Sequence, residues 1–422
     1  GGTLPVSVGA FPEGHGLPWL GGVRLGFSKA PFGAKLPIDS IAKAAIEGGA
    51  MPGCRVIVAH KGMIVHDGTY GTLDGAIPVK PSSVYDLASI TKIAASTLAL
   101  MHLEERGSID RDAPLETYLP DLKGTEIGSR LLGDVLAHRA GLTSWIPFYL
   151  EALEDSTAFS QLPSREHSQE ISKTCYMRPN WQDSIWNKIV SAPLDPVGKH
   201  RYSDLGFYVI QRIIETKTGK FLNDFVEQLF YEPAGWSSFC YNPLEKMESK
   251  TIAPTENDTL FRKSTVQGTV HDPGAAMLGG VCGHAGLFAN AYDLARLMHM
   301  LRMGGSYGKV DFFRSETIVD WTRRVDPNPD HRKASGFDRP ANESDAGPTC
   351  NEASEGSFGH SGFTGTLAWA DPDEDILFVF LSNRTFPDAE NRKLIDWDVR
   401  TKIMHEAYQS IGVPSKFDTE RL

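Results

Sequence analysis

Residues 364–382 read TGTLAWADPDEDILFVFLS. Two apolar runs, Thr364–Ala370 and Ile376–Ser382, stand either side of an acidic, proline-containing turn, which predicts a β-hairpin. A second hairpin is predicted far upstream, where Arg55–His60 and Met63–Gly68 meet at Lys61-Gly62. Helical periodicity lies beside each hairpin. Pro37–Gly49 puts Ile38, Ile41, Ala42, Ala45 and Ile46 on one side, and a last helix is expected over Glu390–Ser410. Between about residues 110 and 300 the pattern is helical patches separated by Pro- and Gly-rich loops, with few strand-like runs.

Strands near both ends of a chain and helices between them imply an α+β fold. We expect one antiparallel sheet flanked by helices, built from residues 37–110 and 301–422, with the first and last helices covering it. Residues 111–300 are expected to form a largely helical inserted domain. Residues 1–36 are rich in Gly and Pro and read as an N-terminal arm or linker.

The chain has 422 residues, 41% hydrophobic and 23% charged, enough for a sizeable core. Its formal net charge of -11 argues against a nucleic-acid partner. No apolar run approaches the length of a membrane span. The five cysteines, Cys54, Cys175, Cys240, Cys282 and Cys350, are widely separated and form no CxxC pair. That argues against a zinc ribbon or dithiol site, and an odd, sparse set is no disulfide framework. The chain opens at Gly1-Gly2 without methionine or an apolar leader, so it reads as a trimmed or processed product.

Ser-x-x-Lys occurs three times: Ser40–Lys43, Ser89–Lys92 and Ser306–Lys309. Ser306 lies in the turn GGSYGK, and Ser40 in a short amphipathic helix where a surface role suffices. Ser89 follows the apolar SVYDLA and opens a long helical pattern to about Glu105, with Ile93, Leu98, Met101 and Leu103 on its apolar face. A hydroxyl there meets the positive end of the helix dipole, and Lys92 stands one turn away on the same face. A lysine partly buried beside a serine can lose its charge and act as a base, or steer the serine's proton. Taken alone, the pair equally fits a helix N-cap and a surface lysine.

Residues 199–215, KHRYSDLGFYVIQRIIE, place Tyr202, Ser203 and Asp204 just before an amphipathic helix. A phenol near a cationic lysine can have its pKa lowered and serve as a general base, and Asp204 can orient a lysine or a substrate amide. Singly, Asp204 or Ser203 also fits a helix cap and Tyr202 a packing residue. Further on, His360-Ser361-Gly362 sits at the lip of the 364–382 hairpin, where a glycine lets a substrate backbone lie close to the strand edge. The backbone N–H after Gly362, that of Phe363, is placed to form an oxyanion hole with the N–H of Ser89.

YDLASITK (85–92), YSDLG (202–206) and HSGFTGT (360–366), in that order, resemble the Ser-x-x-Lys, Tyr-x-Asn and Lys-Thr-Gly boxes of class C β-lactamases and related D,D-peptidases and esterases. LLGDVLAHRAGL (131–142) and GGVCGHAGLFANAYDLARLMHML (279–301) resemble the same family, so the likeness covers roughly Pro37 to Gln409. It implies a β-lactamase/transpeptidase-like fold and a serine hydrolase with Ser89 as nucleophile, Lys92 and Tyr202 as proton carriers, and Asp204, His360, Ser361, Gly362 and Phe363 around the substrate and oxyanion. No metal or organic cofactor is implied. Asp204 stands where the family has asparagine and His360 where it has lysine. An imidazole is only partly charged near neutrality. Carboxylate substrates are therefore expected to bind better as pH falls from about 8 to 6, and β-lactams to be poor substrates.

GTLPVSVGAFPEGHG and VHDPGAAMLGGVCGHAGLF resemble, more narrowly, bacterial proteins in which this hydrolase domain follows a glycoside hydrolase family 3 β-N-acetylglucosaminidase. That likeness implies an upstream glycosidase module, a periplasmic or envelope location and a muropeptide or other small-molecule substrate. The rival expectation is a catalytically silent module that holds cell-wall peptides for the glycosidase. GHSGF (359–363) nearly matches a nucleophile elbow, but Phe363 replaces its second glycine. His271, Asp272 and His284 lack a metal-ligand spacing, and Trp145, Trp181 and Trp186 are expected in the core of the helical region.

Overall fold

A computed structural model of the chain describes residues 23–28, 37–326, 331–340 and 347–414. Most of the arm expected over 1–36 lies outside the described residues. The two predicted hairpins form, as Gly53–His60 with Met63–Gly71 and Leu367–Asp371 with Ile376–Ser382. They join along their inner strands in antiparallel register, Cys54 facing Ser382 and His60 facing Ile376. Phe358–Ser361 pairs outside Leu367–Asp371 and Gly26–Phe27 runs parallel along Met63–Gly71, completing six strands. The segment at His360 is thus itself a strand, where the sequence placed only the lip of the hairpin.

Both inner strands are buried along nearly their whole length, so both faces of the sheet are covered. Period-two alternation divides their side chains between two cores. Val56, Val58, Phe378 and Phe380 pack with Ile38, Ala42, Ile403 and Met404 of the first and last helices, Pro37–Glu47 and Val399–Gln409. Ile57, Ala59, Leu377 and Val379 face the other way, into the larger core. There Ala291–Arg302 packs across the sheet, bringing Leu294, Leu297, Met298 and Leu301. Each such side chain taken from water contributes roughly 1.5–3 kcal/mol.

Residues 111–290 carry the helices Phe148–Glu154, Trp181–Val190 and Leu205–Thr218 among short strands. The helix after Ser89 begins with a π-helical turn, Lys92–Ser96, and continues as an α-helix over Thr97–Glu105. Ile93, Leu98, Met101 and Leu103 are buried as expected, and Lys92, Ser96 and Thr97 are buried with them. The helix runs through the core rather than along its surface.

The edge strand approaches its neighbour closely. A Cβ on Gly359 would lie 2.1 Å from the Ala368 carbonyl oxygen and 2.5 Å from the Trp369 ring. Gly359→Ala is therefore expected to push the strand carrying His360 outward, costing about 1–3 kcal/mol. Thermal melts of the two proteins measure it, and an unchanged midpoint would show that the strand can shift freely.

Candidate active site

The turn that presents Ser89 is tied down by the residue three positions before it. Asp86 ends the short strand Val84–Asp86 and is buried. Its carboxylate accepts the N–H of Ala88 at 2.8 Å and of His271 at 2.7 Å. Burial raises this carboxyl to about 6 even with both donors present. The backbone is stitched to the 364–366 segment as well: Thr364 Oγ1 donates to the Asp86 carbonyl at 2.8 Å and Thr366 Oγ1 to that of Leu87 at 3.1 Å. A Cβ on Gly362 would lie 2.6 Å from the Leu87 oxygen, so only glycine permits this approach. Ala88 takes a left-handed φ of 47°, a strained value for alanine that swings Ser89 out of the core, half-exposed between buried neighbours.

Ser89 Oγ accepts two hydrogen bonds, from Lys92 Nζ and from Tyr202 Oη, each 2.9 Å. Ser40 instead bonds the Pro37 carbonyl, and Ser306 bonds Asp311. Among the three Ser-x-x-Lys pairs, only Ser89 receives a hydrogen bond from its lysine. Lys92 has no exposed surface, and its Nζ lies 2.6 Å from Asp204 Oδ1. Burial alone would lower its pKa, but Asp204 and Tyr202 outweigh that and hold the ammonium above its usual range. Of the two roles open to Lys92, this favours steering the serine's proton over acting as a neutral base. Burial likewise pushes the Tyr202 phenol up to about 12, with Lys92 pulling down and Asp204 pushing back up. The lowered phenol pKa expected beside a lysine does not arise, because burial outweighs the pull of Lys92 and Asp204 opposes that pull further.

The two supporting stretches bracket this trio. In LLGDVLAHRAGL, His138 adopts φ 56°, and its Nδ1 accepts the Ser203 N–H at 3.1 Å. Its ring lies 4.5 Å from that of Tyr202. Ser203 Oγ donates to the Thr143 carbonyl at 2.7 Å, and the Asp204 N–H to that of Ser144 at 2.9 Å. In GGVCGHAGLF, the Gly283 carbonyl accepts from Ser96 Oγ at 2.7 Å and that of His284 from Lys92 Nζ at 3.4 Å. His284 is itself held by Asp272 at 3.0 Å. His138 enters the sequence reading only within a matched stretch, and His284 within another and as a rejected metal ligand; their positions against Tyr202 and Lys92 come from the fold.

His360 departs from expectation. It is 2% exposed, and its Nδ1 donates to the Ser361 carbonyl at 2.7 Å. Its Nε2 is buried with no hydrogen-bond partner among the described residues. Burial lowers its pKa to about 4; Asp338 opposes this and Lys333 and Lys92 reinforce it. Between pH 8 and 6 the ring is neutral, so the partial cation expected there is absent. Asp204 lies on Lys92, the first of the two roles open to it. Phe363 is 55% exposed, stacked on His271 at 5.5 Å with the Arg384 guanidinium 4.7 Å from its ring. Sequence reading missed Lys333, buried 5.2 Å from the centre of the Tyr202 ring. Nothing local in the sequence marks it.

A pH consequence follows. With His360 near 4, KM for a carboxylate-bearing substrate should stay within about 2-fold between pH 8 and 6. Steady-state kinetics against a neutral ester check it, and a KM that falls steeply over that range only for the carboxylate would restore the cationic His360. Folding carries the same signature. The unfolded ring binds a proton near 6.5 and the folded one only near 4, so stability is lost as pH falls through that window. His360→Gln should lose less over the same window in pH-dependent melts.

The β-lactamase family matches residues 38–400. An N-acetylmuramyl-L-alanine amidase of Bacillus subtilis (strain 168) is 32% identical over 377 residues, covering 82% of this chain and 80% of its own length. A Salmonella agona (strain SL483) protein named "Putative D-alanyl-D-alanine carboxypeptidase" is 33% identical over 335 residues, covering 74% and 72%. In fold, the chain is similar to a penicillin-binding protein homolog from Caulobacter crescentus, with TM-score 0.62 and 19% identity over 88% of this chain and 96% of that one. It is also similar to EstCE1, a hydrolase with promiscuous acyltransferase activity, with TM-score 0.64 and 18% identity over 88% and 97%. The chain belongs to the β-lactamase family and is an enzyme of the serine hydrolase type.

Proposed function

We propose that the protein cleaves amide or ester bonds of peptidoglycan-derived peptides through an acyl-enzyme on Ser89. The observation that carries this reading is the pair of 2.9 Å hydrogen bonds that Ser89 Oγ accepts from Lys92 and Tyr202. Oγ bonds to the substrate carbonyl carbon, its proton passes to the Tyr202 oxygen, and Tyr202 hands its own proton to the leaving group. A phenol held near 12 suits this relay, which needs no standing phenolate. Lys92 stays charged, fixing both oxygens, and Asp204 fixes Lys92. The developing oxyanion is met by the N–H groups of Ser89 and Phe363, with Ser361 and Gly362 lining the approach. Water then attacks the acyl carbon and the relay runs in reverse. These steps call on no metal or organic cofactor.

The relatives' names support two scissile bonds, N-acetylmuramyl-L-alanine amide and D-alanyl-D-alanine. We place the protein in the periplasm or envelope, joined to an upstream glycosidase module, on the resemblance of its N-terminal stretch. Among the described residues, no helix is long and apolar enough to cross a membrane. The neutral His360 supports poor hydrolysis of β-lactams, whose carboxylate it cannot pair with. The rival reading, a catalytically silent binding module, would have muropeptides bind without acylating Ser89.

Covalent labelling by a fluorophosphonate, with a screen of defined muropeptides read by mass spectrometry, separates the two readings. Wild type should label at Ser89 and Ser89→Ala should not label or turn over, while melting as wild type does. Tyr202→Phe should lose roughly 10²-fold or more in kcat. Binding of muropeptides without labelling or turnover would leave only the silent module.

A further inference from the structure

We propose that Lys333 is a positioning residue that acts through Tyr202, supplying the excess positive charge against which the phenol oxygen bears negative charge during proton relay. The inference rests on the hydrolase reading above and adds a residue that none of the three motif boxes contains.

Two ammonium groups flank the Tyr202 ring, Lys92 Nζ at 5.1 Å from its centre and Lys333 Nζ at 5.2 Å. They are not equivalent. Lys92 is matched one-to-one by Asp204 at 2.6 Å, so that pair is neutral overall. Lys333 pairs with Asp338, but Asp338 also faces Arg332 at 3.7 Å. Among the described residues, two cations there share one carboxylate, leaving net positive charge on the Lys333 side. Lys333 is 3% exposed, so water screens little of its field.

The lysine is held in place by backbone. Residues 333 and 338 form a bridge, and Asp338 exchanges N–H···O bonds with Gly359 at 2.8 and 3.0 Å. This ties Lys333 to the strand carrying His360, whose ring lies 6.2 Å from that of Tyr202. The other groups facing the phenol are His138 and, beyond it, His200 and His331. Burial first, then Lys333, lowers the pKa of both His138 and His200, so neither adds charge near neutrality. His360 is neutral for the same first reason. Where the resemblance places a lysine on the strand itself, this chain carries a neutral histidine, and a buried cation reaches the phenol from the 333–338 segment.

The rate of fluorophosphonate labelling of Ser89, measured from pH 6 to 10, tests the assignment in wild type, Lys333→Met, Lys333→Arg and Lys333→Met/Asp338→Asn. Lys333→Met should label roughly 10-fold more slowly at neutral pH, with the rise in rate shifted up by about one pH unit. Lys333→Arg should recover most of the rate. The double variant removes both members of the buried pair, so it should fold and still label slowly. A Lys333→Met protein with the wild-type rate and profile overturns the proposal, as does an Arg variant no better than Met. Loss of the folded state in both Met variants also overturns it, since the pair would then hold the fold rather than the phenol. Absence of labelling in wild type would remove the hydrolase reading, and this inference with it.

Discussion

An ammonium group with no surface of its own has to be paired, and most of the site's geometry follows from how Lys92 is paired. Removing an isolated charge from water costs far more than one hydrogen bond returns. Lys92 therefore draws in Asp204, Ser89 Oγ and the carbonyl of His284, and lies against the ring faces of Tyr202 and Phe207. These partners come from three distant parts of the chain. Each must be delivered to within a few tenths of an ångström, and the surrounding loops are built for that. His138 and the 143–144 carbonyls hold the Tyr202–Asp204 turn, and the 283–284 carbonyls receive Ser96 and Lys92.

The same burial sets the protonation of the site. Lys92 and Tyr202 keep their protons, and His360 stays without a second one. For Tyr202 and His360 burial itself favours the uncharged form, and only for Lys92 do its partners, Asp204 first, outweigh burial. Asp204 balances Lys92, and by doing so weakens the pull of Lys92 on the phenol. The aspartate that stands where the resemblance has asparagine is thus the group that keeps Lys92 charged.

The sheet's part is to hold two edges in register. Asp86 and the threonines at 364 and 366 lock the Ser89 turn to the Phe358–Asp371 hairpin. Glycines at 359 and 362 let backbone lie where a side chain would clash. The rigid hairpin pair and the helix Ala291–Arg302 behind it leave this junction little freedom to drift, which matters for a relay that depends on two 2.9 Å contacts.

By itself the sequence determined the periodic features. Apolar runs in Arg55–His60 and Ile376–Ser382 marked the strands, the apolar stripe after Ser89 marked its helix, and the boxes at 89 and 202 named the trio Ser89, Lys92 and Tyr202 that the structure brings together. These are legible because secondary structure and motif order depend on near neighbours along the chain. Only the tertiary structure decided that His360 is buried and neutral, that Asp204 chooses Lys92, that the 358–361 segment is a strand, and that Lys333 stands behind Tyr202. Each depends on burial and on groups converging from remote segments. No local pattern encodes the low-polarity surroundings that decide whether a side chain keeps its charge.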